Sequence, residues 1–160
     1  MSNNYLMPNG KRIDLTEAPE VKGKIYNPYQ RALKLQEYYM IGRMNIVTCT
    51  ELEMPLDDEA YDLCNYFTDR ATAKQINLHQ ILYRKLLKFA YDNNCYNTLA
   101  WNGSNTHYYI YHDYSQHRFN VDVTGRYHSA NVWFSSRKSA EQAIEEVVIP
   151  FMKEHPEFKW

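Results

Sequence analysis

From Asp69 to Asn94 the chain reads as one long amphipathic helix, and this stretch limits the fold more than any other. Asp69 supplies an N-terminal side-chain cap. Ile76, Leu78, Ile81, Leu82, Leu86, Leu87, Phe89 and Ala90 then recur at helical spacing and make a broad apolar stripe, which Asn93-Asn94 ends near Asp92. A stripe of that width needs a second layer to cover it.

The period changes after this helix, about 70–92. Tyr108–Tyr114, Phe119–Val123 and Asn131–Phe134 read as three strands with turns at Ser115-Gln116 and around Gly125, an antiparallel meander. Ser135-Ser136 begins a C-terminal amphipathic helix with Ala140, Ala143, Ile144, Val147, Val148 and Phe151 on one face. Pro150 falls inside that pattern and predicts a kink or an end near Ile149.

Upstream, Pro8-Asn9-Gly10, Pro19 and Gly23 punctuate residues 1–27, which read as an extended arm. Asn27-Pro28 predicts a helix start, continued by Leu33, Leu35, Tyr38, Tyr39 and Ile41 and stopped at Gly42. Residues 44–52 fit strand or helix equally. Pro55-Leu56-Asp57-Asp58-Glu59 opens a further helix within 55–66, with carboxylates where the dipole favours them. The expectation is an α+β fold with an arm at 1–27 and a single domain at 28–160. Its helical part is 28–94 and its ββ β-α part 97–155.

Charge and cysteine usage exclude several classes. The net charge is −1 and the pI about 6.6, so no global field recruits nucleic acid or an anionic membrane. Three cysteines without a CxxC pair suggest reduced thiols and a cytoplasmic setting. The N-terminus has no apolar signal region, and no run approaches the roughly 20 apolar residues of a membrane span.

Chemistry-bearing motifs are few. His107, His112 and His117 recur every five residues, but strand alternation sends the first two to opposite faces, and no second cluster completes a metal site. Phosphate-binding glycine loops and the nucleophile elbow are missing, and the cysteines read as small buried hydrophobes. No catalytic residue, cofactor or metal site is assigned. The acidic stretch 51–62 has a sufficient reason at a helix start; a small metal-dependent nuclease built on it is the second alternative.

Two constellations point to binding. Tyr109 and Tyr111 share one strand face, joined by Trp133 from the third strand, and Tyr and Trp are enriched at protein interfaces. Lys74, Arg84, Lys85 and Lys88 lie together on the long helix, where they offer phosphate contacts; with bases stacked on the aromatic sheet face, a nucleic-acid-binding protein is the first alternative. In the second strand Phe119, Val121 and Val123 alternate with Asn120, Asp122 and Thr124. Asp122 therefore lies on the face of Tyr109 and Tyr111, where it repels phosphate.

Two stretches carry a family resemblance. The helix holds Asp69, Gln80, Leu82, Arg84, Lys85, Leu86 and Phe89 in a Q-x-L-x-R-K-L-x-x-F pattern. A Tyr-rich strand follows, and then Phe134, Ser135, Ser136, Ala140, Ala143 and Ile144 in F-S-S-x-x-x-A-x-x-A-I. Together, over about the C-terminal 95 residues, they resemble small uncharacterised proteins encoded by phages and prophages of low-GC Gram-positive bacteria. The resemblance implies a phage or mobile-element accessory protein in the host cytoplasm and supplies no catalytic residue. The leading expectation is a non-enzymatic protein acting by protein–protein binding, with inhibition of a host defence nuclease, as in anti-CRISPR proteins, its sharpest form. Host or phage protein, nucleic acid and a second copy of the chain are the candidate partners.

Overall fold

A computed structural model of the chain describes residues 4–6, 12–14, 27–43 and 45–160. Strands β1 (Asn4–Leu6) and β2 (Arg12–Asp14) pair antiparallel. The other positions of the expected arm, Asn27 apart, lie outside the described residues. The architecture is α+β.

The helix expected from Pro28 to Ile41 is absent. Asn27-Pro28 instead opens a turn: the Tyr29 N–H donates to Asn27 Oδ1 at 3.0 Å and the Gln30 N–H to the Asn27 carbonyl at 3.1 Å. Proline fits the second position of such a turn as well as the first position of a helix, so one signal served both outcomes. The chain then enters β3 (Glu37–Ile41), which pairs antiparallel with β4 (Ile46–Thr50), so the ambiguous 44–52 stretch is strand over 46–50. Phe67 extends this sheet by one bridge to Tyr39, with reciprocal hydrogen bonds of 2.8 and 2.9 Å.

Helix α1 (Pro55–Asp62) leads through a short loop to α2 (Arg70–Asp92). The expected cap is present: the Asp69 carboxylate accepts from the Thr72 N–H at 2.7 Å and the Ala71 N–H at 3.4 Å. Leu78, Leu82, Leu86, Phe89 and Ala90 are buried along one side of α2, each large side chain contributing about 1.5–3 kcal/mol of burial.

Strands β5 (His107–Asp113) and β6 (Arg118–Thr124) form a hairpin with Tyr109 opposite Asp122 and Ile110 opposite Val121. The expected third strand does not form. Of residues 131–134 only Phe134 bridges β5, at Tyr108, through bonds of 2.8 and 3.2 Å. On its other side Phe134 bridges Tyr96. The Trp133 carbonyl accepts from the Asn97 N–H and the Ser135 N–H donates to the Cys95 carbonyl, both at 2.9 Å. The sheet is therefore two-stranded with a single bridge where a meander was expected.

The last helical segment runs through α3 (Arg137–Ala143), a π-turn (Ile144–Val148) and α4 (Ile149–Glu154). The Ser136 side chain caps it, accepting from the Ser139 N–H at 3.2 Å. Near Ile149, where a kink or an end was expected, the helix does not end but changes winding. The widened turn just before it hands the Ile149 N–H to the Ile144 carbonyl, and the helical course continues past a residue with no N–H to give. The main core lies between α2, the inner face of the β5–β6 hairpin and α3–α4, around Leu82, Ile110, Val121, Phe134, Ile144 and Phe151. A smaller core of Tyr38, Ala60 and Tyr66 joins β3 to α1.

Candidate interaction surfaces

Strand alternation divides the histidines and tyrosines of β5 as expected. Ile110, with Tyr108 beside it, belongs to the main core, while His107, Tyr109 and Tyr111 look away from it. That outer face is largely roofed. Trp133 is only 4 % exposed, so it does not serve as the open contact residue its sequence position suggested. Its ring meets Trp101 at 4.8 Å and Tyr109 at 5.4 Å, and its Nε1–H donates to the Ser129 carbonyl at 3.3 Å. Trp101, which the sequence reading left out, stacks flat on His107 at 3.6 Å. The one sequence signal for it was a tryptophan beside an Asn-Gly-Ser-Asn loop. Tyr111 remains exposed, whereas the half-buried Tyr109 donates its hydroxyl to Asp122 at 3.3 Å.

His107 is wholly buried, and neither ring nitrogen makes a hydrogen bond of ordinary geometry. Burial holds its pKa below the usual histidine value, opposed by the Ala100 backbone and reinforced by His128. His112 turns to the opposite side of the strand, against Phe119 and Tyr114, and His117 lies in the exposed turn. Among the described residues no group of three or more His, Cys, Asp or Glu converges on a metal position.

The four cations of α2 are differently engaged. Lys74 pairs with Glu157 at 2.8 Å, and Lys88 pairs with Asp92 one turn along. Lys85 and Lys88 line a cleft of about 280 Å³ that also holds Asp92, Glu146 and Glu154. Three carboxylates against two ammonium groups give a poor phosphate seat. Arg84 stands apart, on the rim of a different groove.

The acidic stretch is a scaffold. Glu51, 1 % exposed, accepts from Arg31 through both oxygens at 3.0 and 3.1 Å, from the Tyr66 hydroxyl at 2.8 Å and from the Glu53 N–H at 2.8 Å. Asp57 accepts from the Tyr38 hydroxyl at 2.7 Å and from the Met54 and Leu52 N–H groups at 2.9 and 3.0 Å. Tyr38 and Tyr66 stack at 3.9 Å between the two carboxylates. The Arg31 guanidinium holds Glu51 below the usual carboxylate range, and the Met54 N–H, then the Tyr38 hydroxyl, do the same for Asp57. Burial and the bond to Glu51 push the Tyr66 hydroxyl up to about 12. Every carboxylate oxygen of Glu51 and Asp57 is engaged.

What the lattice displays is apolar. The Glu51 carbonyl accepts from the Leu35 N–H and its N–H donates to the Gln36 carbonyl, so two residues face one in a β-bulge. Leu35 there has φ +70°, a conformation ordinarily left to glycine or asparagine, and Glu53 in the loop after β4 has φ +59°. Lys34 and Glu53 tie the two loops at 2.6 Å. Leu33 and Leu35 are 71 % and 73 % exposed, and Leu52, Met54 and Leu56 are at least half exposed beside them. Comparison with protein-family models, with curated proteins and with solved structures finds no match.

Proposed function

We propose that this chain is a non-enzymatic binding protein and that its contact surface is the leucine-rich loop pair at 33–36 and 51–56. The observation that carries this reading is Leu35. A bulky apolar residue is held in a left-handed backbone conformation, costing roughly 1–2 kcal/mol, with most of its side chain in solvent. Nothing in folding is gained by placing leucine there. Exposed apolar groups clustered on a rigid frame, and backbone strain maintained beside them, mark interaction sites.

The buried Arg31–Glu51–Tyr66 and Tyr38–Asp57 contacts supply the rigidity, which lowers the entropy lost on binding. Residues 27–67 carry three cations, Arg31, Lys34 and Arg43, against seven carboxylates. The matching partner is therefore a protein surface with apolar residues in a basic rim. The resemblance to phage proteins supplies the biological setting, an accessory protein acting on a host protein, with a defence nuclease as its sharpest target.

The test is co-purification from host lysate with the intact tagged chain, beside the double variant Leu35→Glu, Leu52→Glu. Wild-type protein is expected to retain a stoichiometric partner that the double variant loses while melting at a comparable temperature. Absence of a stoichiometric partner, or equal capture by both proteins, would overturn the proposal.

A further inference from the structure

The geometry points to a second binding site, a groove that takes an extended acidic peptide as an added strand on the open edge of β5. This site lies apart from the leucine-rich loops and does not depend on them.

The backbone of β5 shows why the edge is unpaired. Tyr108 exchanges both of its backbone bonds with Phe134, on the side away from β6. Because N–H and C=O of one residue point the same way and alternate along a strand, Ile110 and His112 also direct theirs away from β6. Continuation of the Tyr108–Phe134 register would pair Ile110 with Val132. That pair is unmade: Val132 exchanges no backbone bond with β5. Among the described residues nothing hydrogen-bonds Ile110 or His112 on this side. The outer edge of β6 is treated differently: the Val121 carbonyl there accepts from Arg137 Nη1 at 2.9 Å.

Between the diverging strands opens a groove of about 530 Å³, with Leu82 and Leu86 of α2, Ile110, Val132 and Phe134 as apolar walls. An added strand supplies main-chain bonds to Ile110 and His112, and its alternate side chains enter this cavity. Side chains facing the same way as Ile110 meet Leu82 and Leu86, so apolar residues are selected there. The lining contains Arg84 and His79 and no Asp or Glu side chain, and Arg84 forms no ion pair among the described residues. A carboxylate two positions from the apolar residue, on the same side of the strand, complements Arg84.

Nitrogen-15-labelled full chain titrated with the capped peptides Ac-Glu-Thr-X-Thr-X-NH2, where X is Val, Leu, Ile or Phe, tests the site. At least one member is expected to bind with a Kd below about 1 mM and to shift the Ile110 and His112 amides. N-methylation of the central X, which removes one main-chain donor, is expected to weaken binding about tenfold. Arg84→Glu, on the exposed side of α2, is expected to reverse the preference toward the peptide carrying Lys for Glu. Failure of every member to bind overturns the proposal, as does equal affinity of the N-methylated peptides. Octanoate producing the same shifts at equal affinity also overturns it and assigns the groove to small amphiphiles.

Discussion

Among the described residues, Glu51 and Asp57 are the two carboxylates buried in the interior. Arg31 stabilises the ionised form of Glu51, and the Met54 N–H that of Asp57, so both fold with depressed pKa values. Between those values and the ordinary carboxylate range near pH 4, the unfolded chain binds more protons than the folded one. Stability contributed by the two groups is complete above about pH 4 and is lost as pH falls through their folded values. The expected outcome is a urea midpoint that is flat from neutral pH to about 5 and falls below pH 4. Near-ultraviolet circular dichroism of the Tyr38–Tyr66 stack follows the transition, and a midpoint unchanged at pH 3 would contradict the assignment. Tyr66 gives a second test at the same scale. Its hydroxyl donates to Glu51 and accepts from the Ala32 N–H at 3.1 Å, so Tyr66→Phe removes a bond to a charge and strands a donor. The expected loss is about 1.5–3 kcal/mol in denaturant unfolding, and a loss below 0.5 kcal/mol would show the bond to be dispensable.

At the scale of elements, the sequence was most legible where a local signal and a long-range need agreed. Helix α2 had both: Asp69 satisfies the first N–H groups, and the stripe from Leu78 to Phe89 meets the hairpin. Over 28–41 the two disagreed. Leu33, Leu35, Tyr38 and Ile41 fit a helical period loosely, but only Tyr38 is buried, and the decisive partner, Phe67, lies far along the chain. The third strand failed for a related reason. Residues 131–134 have the right composition, yet only Phe134 pairs, with Tyr108 on one side and Tyr96 on the other, a placement that no local pattern records. The roof over His107 likewise depends on a close approach rather than on a motif. A Cβ added at Gly125 would lie 2.6 Å from the Asn105 carbonyl oxygen, which must then move. Gly125→Ala is expected to displace the loop carrying Trp101 at a cost of about 1–3 kcal/mol. Tryptophan emission should shift to the red and His107 should become accessible to diethyl pyrocarbonate. An unchanged spectrum with unchanged stability would mean that the loop yields freely.

The whole molecule divides its labour between a rigid core and an edge that is apolar, strained and acidic in its surroundings. No helix among the described residues is long and apolar enough to cross a membrane, so the exposed leucines are not explained by a transmembrane helix. If they serve a protein partner, stability and binding should separate at one position. Leu35 has φ +70° and is 73 % exposed, so its side chain gives the fold little and strains the backbone. Asparagine tolerates this conformation better than leucine and avoids the chain entropy that glycine adds to the unfolded state. Leu35→Asn is therefore expected to raise unfolding stability by about 0.5–1 kcal/mol while reducing partner capture at least fivefold. A purely structural Leu35 predicts the opposite pairing, a variant that melts lower and binds as well as the parent. Thermal melts and co-purification on the same two proteins distinguish these outcomes. A gain in stability with unimpaired capture would leave the strain real but move the contact surface away from the bulge.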